Sequence, residues 1–143
     1  MKTSLNPNVV VQVNAAQFSA PVNNNTAYGV ICRLQKDGSS DGYYFRISGT
    51  GYYSVIRREG DRLISLLTGE IWQSSPSIKK GYEANVIRVT CNDDQLSFQV
   101  NGKMLFEGTD DAFNSGGIGL LGAVYEDNAT AEFHYSNLSV EKP

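Results

Sequence analysis

The chain has 143 residues, the size of one ordinary domain, and we treat residues 1–143 as a single domain that we expect to be excised from a longer protein. It carries 12 Lys and Arg against 15 Asp and Glu. The resulting net charge of -3 argues against nucleic acid as a partner, because such binding relies on a broad basic surface. The longest apolar runs have three residues, far short of the roughly 20 that span a bilayer, so we expect no membrane insertion.

The composition mixes strand formers with turn formers. Val, Ile and Thr number 27 and the aromatic residues 15, while Gly, Asn and Ser together number 40. The fold class that this predicts is all-β. Two cysteines do not make a disulfide framework, and with one histidine, His134, no Cys/His zinc cluster can form.

Short alternating segments separated by turn chemistry predict eleven strands. In chain order they are Val9–Ala15, Tyr28–Gln35, Tyr43–Ser48, Tyr52–Arg58, Arg62–Leu67, Glu70–Ser74, Asn85–Cys91, Gln95–Val100, Lys103–Glu107, Ile118–Val124 and Ala129–Val140. Asn101-Gly102 is the clearest hairpin turn, because a type I′ turn needs positive φ at both central residues. Only 110–114 could hold a helical turn. This many short strands in one domain predict a two-sheet sandwich or a barrel.

Alternation along the strands separates a core face from an outer face. The core-facing phase contains the residues Val30, Cys32, Leu34, Phe45, Ile47, Ile87, Val89, Cys91, Leu96, Phe98 and Val100. Arg33, Arg46 and Arg88 fall on the other phase, together with Tyr44. Two interpretations stay open: a solvated sheet face, or a polar groove in which the arginines offer fixed donors to hydroxyls and carboxylates.

The two cysteines, Cys32 and Cys91, both fall on core-facing phases of strands that carry Arg at matched offsets. They can therefore be neighbours. The pattern leaves two outcomes open, a disulfide or a pair of buried thiols.

The order of several segments resembles the concanavalin A-like lectin/glucanase superfamily. The segments are 28–33 (YGVICR), 41–48 (DGYYFRIS), 51–54 (GYYS), 85–91 (NVIRVTC), 96–102 (LSFQVNG), 117–120 (GIGL) and 133–138 (FHYSNL). The nearest branch is that of bacterial domains of unknown function related to 3-keto-disaccharide hydrolases and laminin-G-like modules. The resemblance implies an antiparallel jelly-roll sandwich of two sheets, with ligands on the concave sheet face or its rim loops.

An enzyme is not predicted. The superfamily's glucanases place two acidic residues on one face of one strand, because retaining chemistry needs carboxyl groups roughly 5–5.5 Å apart, and no such run occurs here. Glu70 and Trp72 are the best candidate pair for binding a sugar, since residues at i and i+2 share a strand face. A nucleophile elbow, Gly-x-Ser-x-Gly, is also absent from the sequence.

We predict no cofactor. Calcium is the one metal for which the sequence offers acidic loops, at 37–42, 93–94, 110–111 and 126–128. The first loop lacks the glutamate of an EF-hand, and we interpret it as a turn.

The function that we predict is a non-catalytic binding module, for a saccharide, with Arg33, Tyr44, Arg46, Glu70, Trp72 and Arg88 as ligand-binding residues. The alternative is a protein-interaction or structural module of a larger sensor or kinase chain, with another protein domain as partner. A saccharide site needs a concave pocket with converging donors, whereas a docking surface is flat. Residues 1–20 show no signal peptide, but we expect an extracellular or periplasmic domain of a larger bacterial protein rather than a cytoplasmic one.

Overall fold

Eleven strands and no helix form along residues 7–143, the part of the chain that this computed structural model describes. They are β1 (Val9–Ser19), β2 (Thr26–Leu34), β3 (Gly42–Ile47), β4 (Tyr52–Glu59), β5 (Arg62–Ser65), β6 (Gln73–Ser74), β7 (Asn85–Asn92), β8 (Gln95–Val100), β9 (Lys103–Thr109), β10 (Gly117–Val124) and β11 (Glu132–Glu141). Within these residues, no helix is long and apolar enough to cross a membrane.

The strands form two antiparallel sheets. Sheet A has the order β11-β1-β7-β8-β9, and sheet B has the order β10-β2-β3-β4-β5 with β6 paired to β4. Most hairpin neighbours pair directly, but β1 lies beside β7 and β2 beside β10, so the chain crosses repeatedly between the sheets. The predicted all-β jelly-roll sandwich is confirmed.

The core lies between the sheets and follows the alternation of the sequence. Val30, Phe45 and Ile47 from sheet B and Val89 and Phe98 from sheet A are fully buried. The Phe98 ring meets the Phe45 ring edge-on, with 5.7 Å between centroids, an arrangement that aromatic pairs favour. The inward phase predicted for these strands is therefore confirmed, except at Leu34, which is only half-buried and lies outside the core.

The hairpin between β8 and β9 has the predicted turn. Asn101 and Gly102 adopt φ angles of 53° and 83°, and Val100 pairs with Lys103 across the turn. The Asn101 side chain also accepts a hydrogen bond from the Val86 amide and donates one to the Ser77 carbonyl. This turn therefore anchors the neighbouring chain as well as reversing its own.

Two local predictions are wrong. Glu70 to Trp72 are a loop and only Gln73–Ser74 pair with β4, because the Gln73 side chain donates to the Thr68 and Glu70 carbonyls and holds the segment in a turn. The segment 110–114 forms no helical turn. Its amides bond to side chains instead, with Ala112 N donating to the Asp110 carboxylate and Phe113 N to the Tyr43 hydroxyl.

Of the two outcomes for the cysteines, the structure has the disulfide. Cys32 of β2 and Cys91 of β7 are fully buried and bonded to each other, with their Cα atoms 6.8 Å apart. The bond joins sheet A to sheet B and closes a loop with a sequence separation of 59. It constrains one end of the sandwich.

Arg33 reinforces that same end. It lies at a β-bulge opposite Gly117 and Ile118, with a φ of 56° that few non-glycine residues adopt. Its guanidinium donates to three carbonyls, those of Pro7, Asp93 and Phe113, and to the Asn8 side-chain oxygen. Gly116 packs so closely on the Arg33 backbone that a Cβ there would lie 2.5 Å from the Arg33 carbonyl carbon.

The loop 110–116 is held from the other side by Tyr43, Arg57 and Asp110. The Tyr43 hydroxyl donates to Asp110 at 2.6 Å, and Arg57 forms an ion pair with the same carboxylate. Burial and the nearby Asp110 carboxylate raise the pKa of Tyr43 to about 12. Burial opposes ionisation of Asp110, but hydrogen bonds from Tyr43 and Ala112, together with Arg57, outweigh it and lower the pKa of Asp110. We call Arg33, Tyr43, Arg57 and Asp110 the end clamp.

Candidate functional site

The outer face of sheet B carries the candidate site. Alternation along β3 turns Tyr44 and Arg46 away from the core, and β4 places Ser54 and Ile56 beside them. An outer face is normally solvated, yet Arg46 is 8% exposed and Ile56 is buried. The β5–β6 loop provides part of this cover, because its Trp72 ring lies against the Arg46 guanidinium.

Two cavities lie under this cover, one of about 260 Å³ and one of about 440 Å³. They share Asn25, Trp72 and Tyr125 in their walls, so together they form one groove. The remaining lining residues are Asn24, Thr26, Arg46, Ser48, Thr50, Tyr52, Ile56, Leu63 and Ile71. We call this set of residues the groove, and its size is that of a small-molecule site.

Arg46 forms the floor of the groove. Its Nε donates to the Ser54 hydroxyl at 2.9 Å, and Nη1 donates to the Tyr125 hydroxyl at 3.2 Å. The Trp72 ring lies against the guanidinium, with its centroid 4.6 Å from Cζ. Nη2 donates no hydrogen bond to a described residue and is not sealed from solvent.

The charge on Arg46 has no acidic partner among the described residues. The ion pairs there involve Arg57 and His134 only. Burial lowers the pKa of Arg46, and the Tyr125 and Tyr44 hydroxyls oppose that effect. The guanidinium nevertheless stays charged at neutral pH, since an ordinary Arg titrates above about pH 12. The groove thus holds a buried cation that is balanced only by neutral dipoles and an aromatic ring.

Three of the predicted site residues lie on this side of sheet B, two on β3 and one in the β5–β6 loop, and their contacts differ. Arg46 and Trp72 are in contact. Tyr44 lies two residues from Arg46 on the same face, but its hydroxyl donates to the Ser40 carbonyl and the residue does not line the groove. Glu70 is exposed in the β5–β6 loop, so the expected shared strand face with Trp72 is wrong.

The expectation that Arg33, Arg46 and Arg88 face one groove is also wrong. Arg88 lies on β7 of sheet A, where it donates to the Gln12 side chain, on the opposite side of the sandwich. Arg33 belongs to sheet B, but the bulge breaks the alternation and turns its side chain into the end clamp. Arg33 is 2% exposed, whereas Arg88 is half-buried and keeps part of its side chain in contact with solvent.

Of the groove residues, the sequence predicts only Arg46 and Trp72 as ligand-binding, and Tyr125 and Asn25 are two that it misses. Asn25 belongs to a run of asparagines that reads as an ordinary polar loop, and Tyr125 directly follows β10. The pairing of β10 with β2 brings them together, and Tyr125 N donates to the Asn25 carbonyl. No local pattern carries this contact, since it depends on which strands are neighbours.

The acidic loops do not assemble a metal centre in the described part of the chain. No group of three or more His, Cys, Asp or Glu side chains is placed there to hold an ion. Asp37 instead accepts hydrogen bonds from the backbone and hydroxyl of Ser39, which supports the interpretation of 37–42 as a turn. Asp110 is engaged by the end clamp. The expectation that the protein binds no cofactor stays a prediction.

Comparison with known proteins gives a fold and no family. No family model matches the chain, and no curated protein matches it in sequence. Among solved structures, the carbohydrate-binding module CBM66 from Bacillus subtilis is similar with a TM-score of 0.73 and 13% identity, over 94% of this chain and 75% of that one. Sheep galectin-11 is similar with a TM-score of 0.66 and 13% identity, over 97% of this chain and 93% of that one.

A protein from Parabacteroides distasonis that bears a provisional glycosyl hydrolase name is also similar, with a TM-score of 0.58 and 13% identity over 95% of this chain and 78% of that one. At such identities the likeness establishes the fold alone. The chain therefore has an antiparallel jelly-roll fold, as the resemblance implied.

Proposed function

We propose that this protein is a non-catalytic module that binds a saccharide in the groove. The observation that carries the proposal is the contact of Arg46 with Trp72 and Tyr125 on an outer sheet face that loops have turned into a cavity. A solvated outer sheet face does not require a covered arginine in contact with aromatic side chains. A ligand in the groove would contact an aromatic wall and a fixed hydrogen-bond donor.

The chemistry of the lining suits a polyhydroxylated ligand. Tyr52, Trp72 and Tyr125 offer ring faces for the C–H surface of a sugar, together with hydroxyl and indole N–H groups at their edges. Asn24 and Asn25 lie beside these rings, and an amide can both donate to and accept from a sugar hydroxyl. The similar structures named as a carbohydrate-binding module and as galectins agree with this proposal.

The absence of catalysis is part of the proposal. Glycoside hydrolysis usually needs two carboxyl groups that face each other across the bond, and none of the residues described as lining the groove is Asp or Glu. Glu70, the acid that the sequence favours, is exposed in the loop. The groove can hold a sugar but offers no acid and base to cleave it.

The shape of the site favours a saccharide over a protein partner. A docking surface would be flat, whereas this one is a cavity with converging donors from β3, the β5–β6 loop and the segment after β10. We also propose that the module acts outside the cytoplasm. The buried Cys32–Cys91 disulfide supports this, because such bonds persist mainly in oxidising compartments. The closer relation to 3-keto-disaccharide hydrolases and laminin-G-like modules stays a prediction.

A glycan array with and without EDTA tests the proposal, followed by titration of the best ligand against variants. Trp72→Ala should weaken binding at least about ten-fold, since it removes the stacking wall, and Trp72→Phe should recover part of the loss. Met104→Ala, on β9 of sheet A, is the control and should bind normally. If no glycan binds in either condition, or if Trp72→Ala binds like the wild type, the proposal fails.

A further inference from the structure

We propose that the saccharide carries a carboxylate and that this carboxylate pairs with Arg46. The inference rests on the proposed function, because it names the ligand class of the same groove. Its origin is an imbalance of charge: Arg46 is buried at 8% exposure, and no described carboxylate pairs with it.

The contacts that Arg46 makes inside the protein compensate only part of its lost hydration. Removing a guanidinium from water is costly, and a buried charge is ordinarily paired with an opposite charge. The Trp72 ring and the Ser54 and Tyr125 hydroxyls replace part of the lost hydration, but none of them carries a formal charge. These partners are all neutral, so the groove keeps an unpaired positive charge.

The open donor indicates where the anion would bind. Ser54 and Tyr125 occupy Nε and Nη1, while Nη2 has no described partner and is not sealed from solvent. A carboxylate at Nη2 would accept hydrogen bonds from unused N–H groups of the guanidinium and would neutralise its charge. Charge-assisted hydrogen bonds of this kind are about twice as strong as neutral ones.

The rest of the groove limits the ligand to one such group. Arg46 carries the only formal charge among the described residues that line the groove. Glu126 and Asp127 are exposed directly after Tyr125, and the whole chain has a net charge of -3. A polyanion such as a homopolymeric uronate or an acidic peptide would be repelled by this surround, since recognition of such ligands uses clusters of arginines. The proposed ligand is therefore a saccharide that contains a single acidic sugar and is otherwise uncharged.

Isothermal titration with matched pairs of oligosaccharides tests this. The probes are oligosaccharides with a single glucuronic, galacturonic or N-acetylneuraminic acid, each compared with its carboxyl-reduced, neutral form. At least one acidic probe should bind about ten-fold or more tightly than its reduced partner, as one charge-assisted bond would give. Arg46→Gln should abolish this preference and Arg46→Lys should retain part of it. Arg88→Gln, an arginine on the opposite sheet, should leave it intact.

The outcomes separate this inference from the proposed function. If the reduced probes bind as well as the acidic ones, the module binds saccharides but the carboxylate inference is wrong. If neither form binds and the glycan array is also empty, both proposals fail. Tighter binding of oligogalacturonate or of poly-glutamate than of every singly acidic probe overturns the single-carboxylate inference. A preference for acidic probes that persists in Arg46→Gln overturns the assignment to Arg46.

Discussion

The end clamp and the groove both bury an arginine from sheet B, yet they treat its charge in opposite ways. Arg33 donates four hydrogen bonds, three of them to backbone carbonyls, and its donors are used to hold loops from both sheets together. Arg46 donates two hydrogen bonds to side-chain hydroxyls and leaves Nη2 open toward a cavity. The difference indicates that burial alone does not distinguish a structural arginine from a binding one. The number of donors that the protein leaves unused does.

Removal of the disulfide at one end of the sandwich should have the largest effect on stability. Replacing both cysteines, Cys32→Ala with Cys91→Ala, should reduce the free energy of unfolding by about 4 kcal/mol, because the loop of 59 residues is no longer closed in the unfolded chain. Chemical denaturation of the purified variant measures this. Saccharide binding by the folded fraction should be unchanged, since the groove lies apart from the disulfide. A stability loss below about 1 kcal/mol would show that this end does not depend on the cross-link.

Removing Arg33 should produce the next largest loss. Arg33→Gln leaves several partly buried carbonyls without donors, and we expect a loss of about 3 kcal/mol in the free energy of unfolding. The affinity for saccharide should stay within about two-fold of the wild type. Denaturation and titration of the same preparation test both halves. A variant as stable as the wild type but unable to bind would reverse the roles that we give to the two arginines.

Acid should weaken the end clamp through Asp110. The pKa of Asp110 is lowered in the folded state. The contribution of Asp110 to stability is therefore fully present above its unfolded pKa of about 3.9, and it is lost as the pH falls through its folded pKa. Asp110→Asn should cost about 1–3 kcal/mol at pH 7 and should flatten the fall in stability below about pH 4. Thermal melts of both proteins between pH 2 and pH 7 give the comparison. Parallel curves of melting temperature against pH for the wild type and Asp110→Asn would contradict this prediction.

The groove arginine should matter least to stability. Arg46→Gln removes a cation–π contact but also removes a buried charge, so we expect a change below about 1 kcal/mol in the free energy of unfolding. The melting temperature of Arg46→Gln, compared with that of the wild type, tests this, and Arg88→Gln is the matched control on sheet A. A loss as large as that of Arg33→Gln would make Arg46 a structural residue and would remove the basis of the contrast.

The sequence predicts the sheets better than it predicts the site. Strand number, the inward phase of Phe98 and the Asn101-Gly102 turn all follow from local patterns, and the structure confirms them. The predicted position of Arg33 is wrong because alternation fails at a bulge, which the sequence does not mark.

The predicted position of Arg88, on the same groove as Arg46, is wrong for a different reason. Alternation says which face of its own sheet a residue occupies, but it does not say to which of the two sheets a strand belongs. Arg46 and Trp72 were both predicted as ligand-binding residues, whereas their contact with Tyr125 depends on the neighbours of β10. Which strands pair when they are distant in the chain cannot be predicted from local patterns in a single sequence.

Trp72 provides the most direct measurement of the central claim, that the groove binds a saccharide, because it is the only tryptophan in the chain. Its indole N–H gives one resonance in a proton–nitrogen correlation spectrum, and that resonance reports on the groove alone. Titration with a saccharide selected on the array should shift this signal in a saturable manner, at the same dissociation constant that calorimetry gives. If the saccharide binds while the indole signal stays fixed and the amides of sheet A move, the site lies elsewhere and the account is wrong.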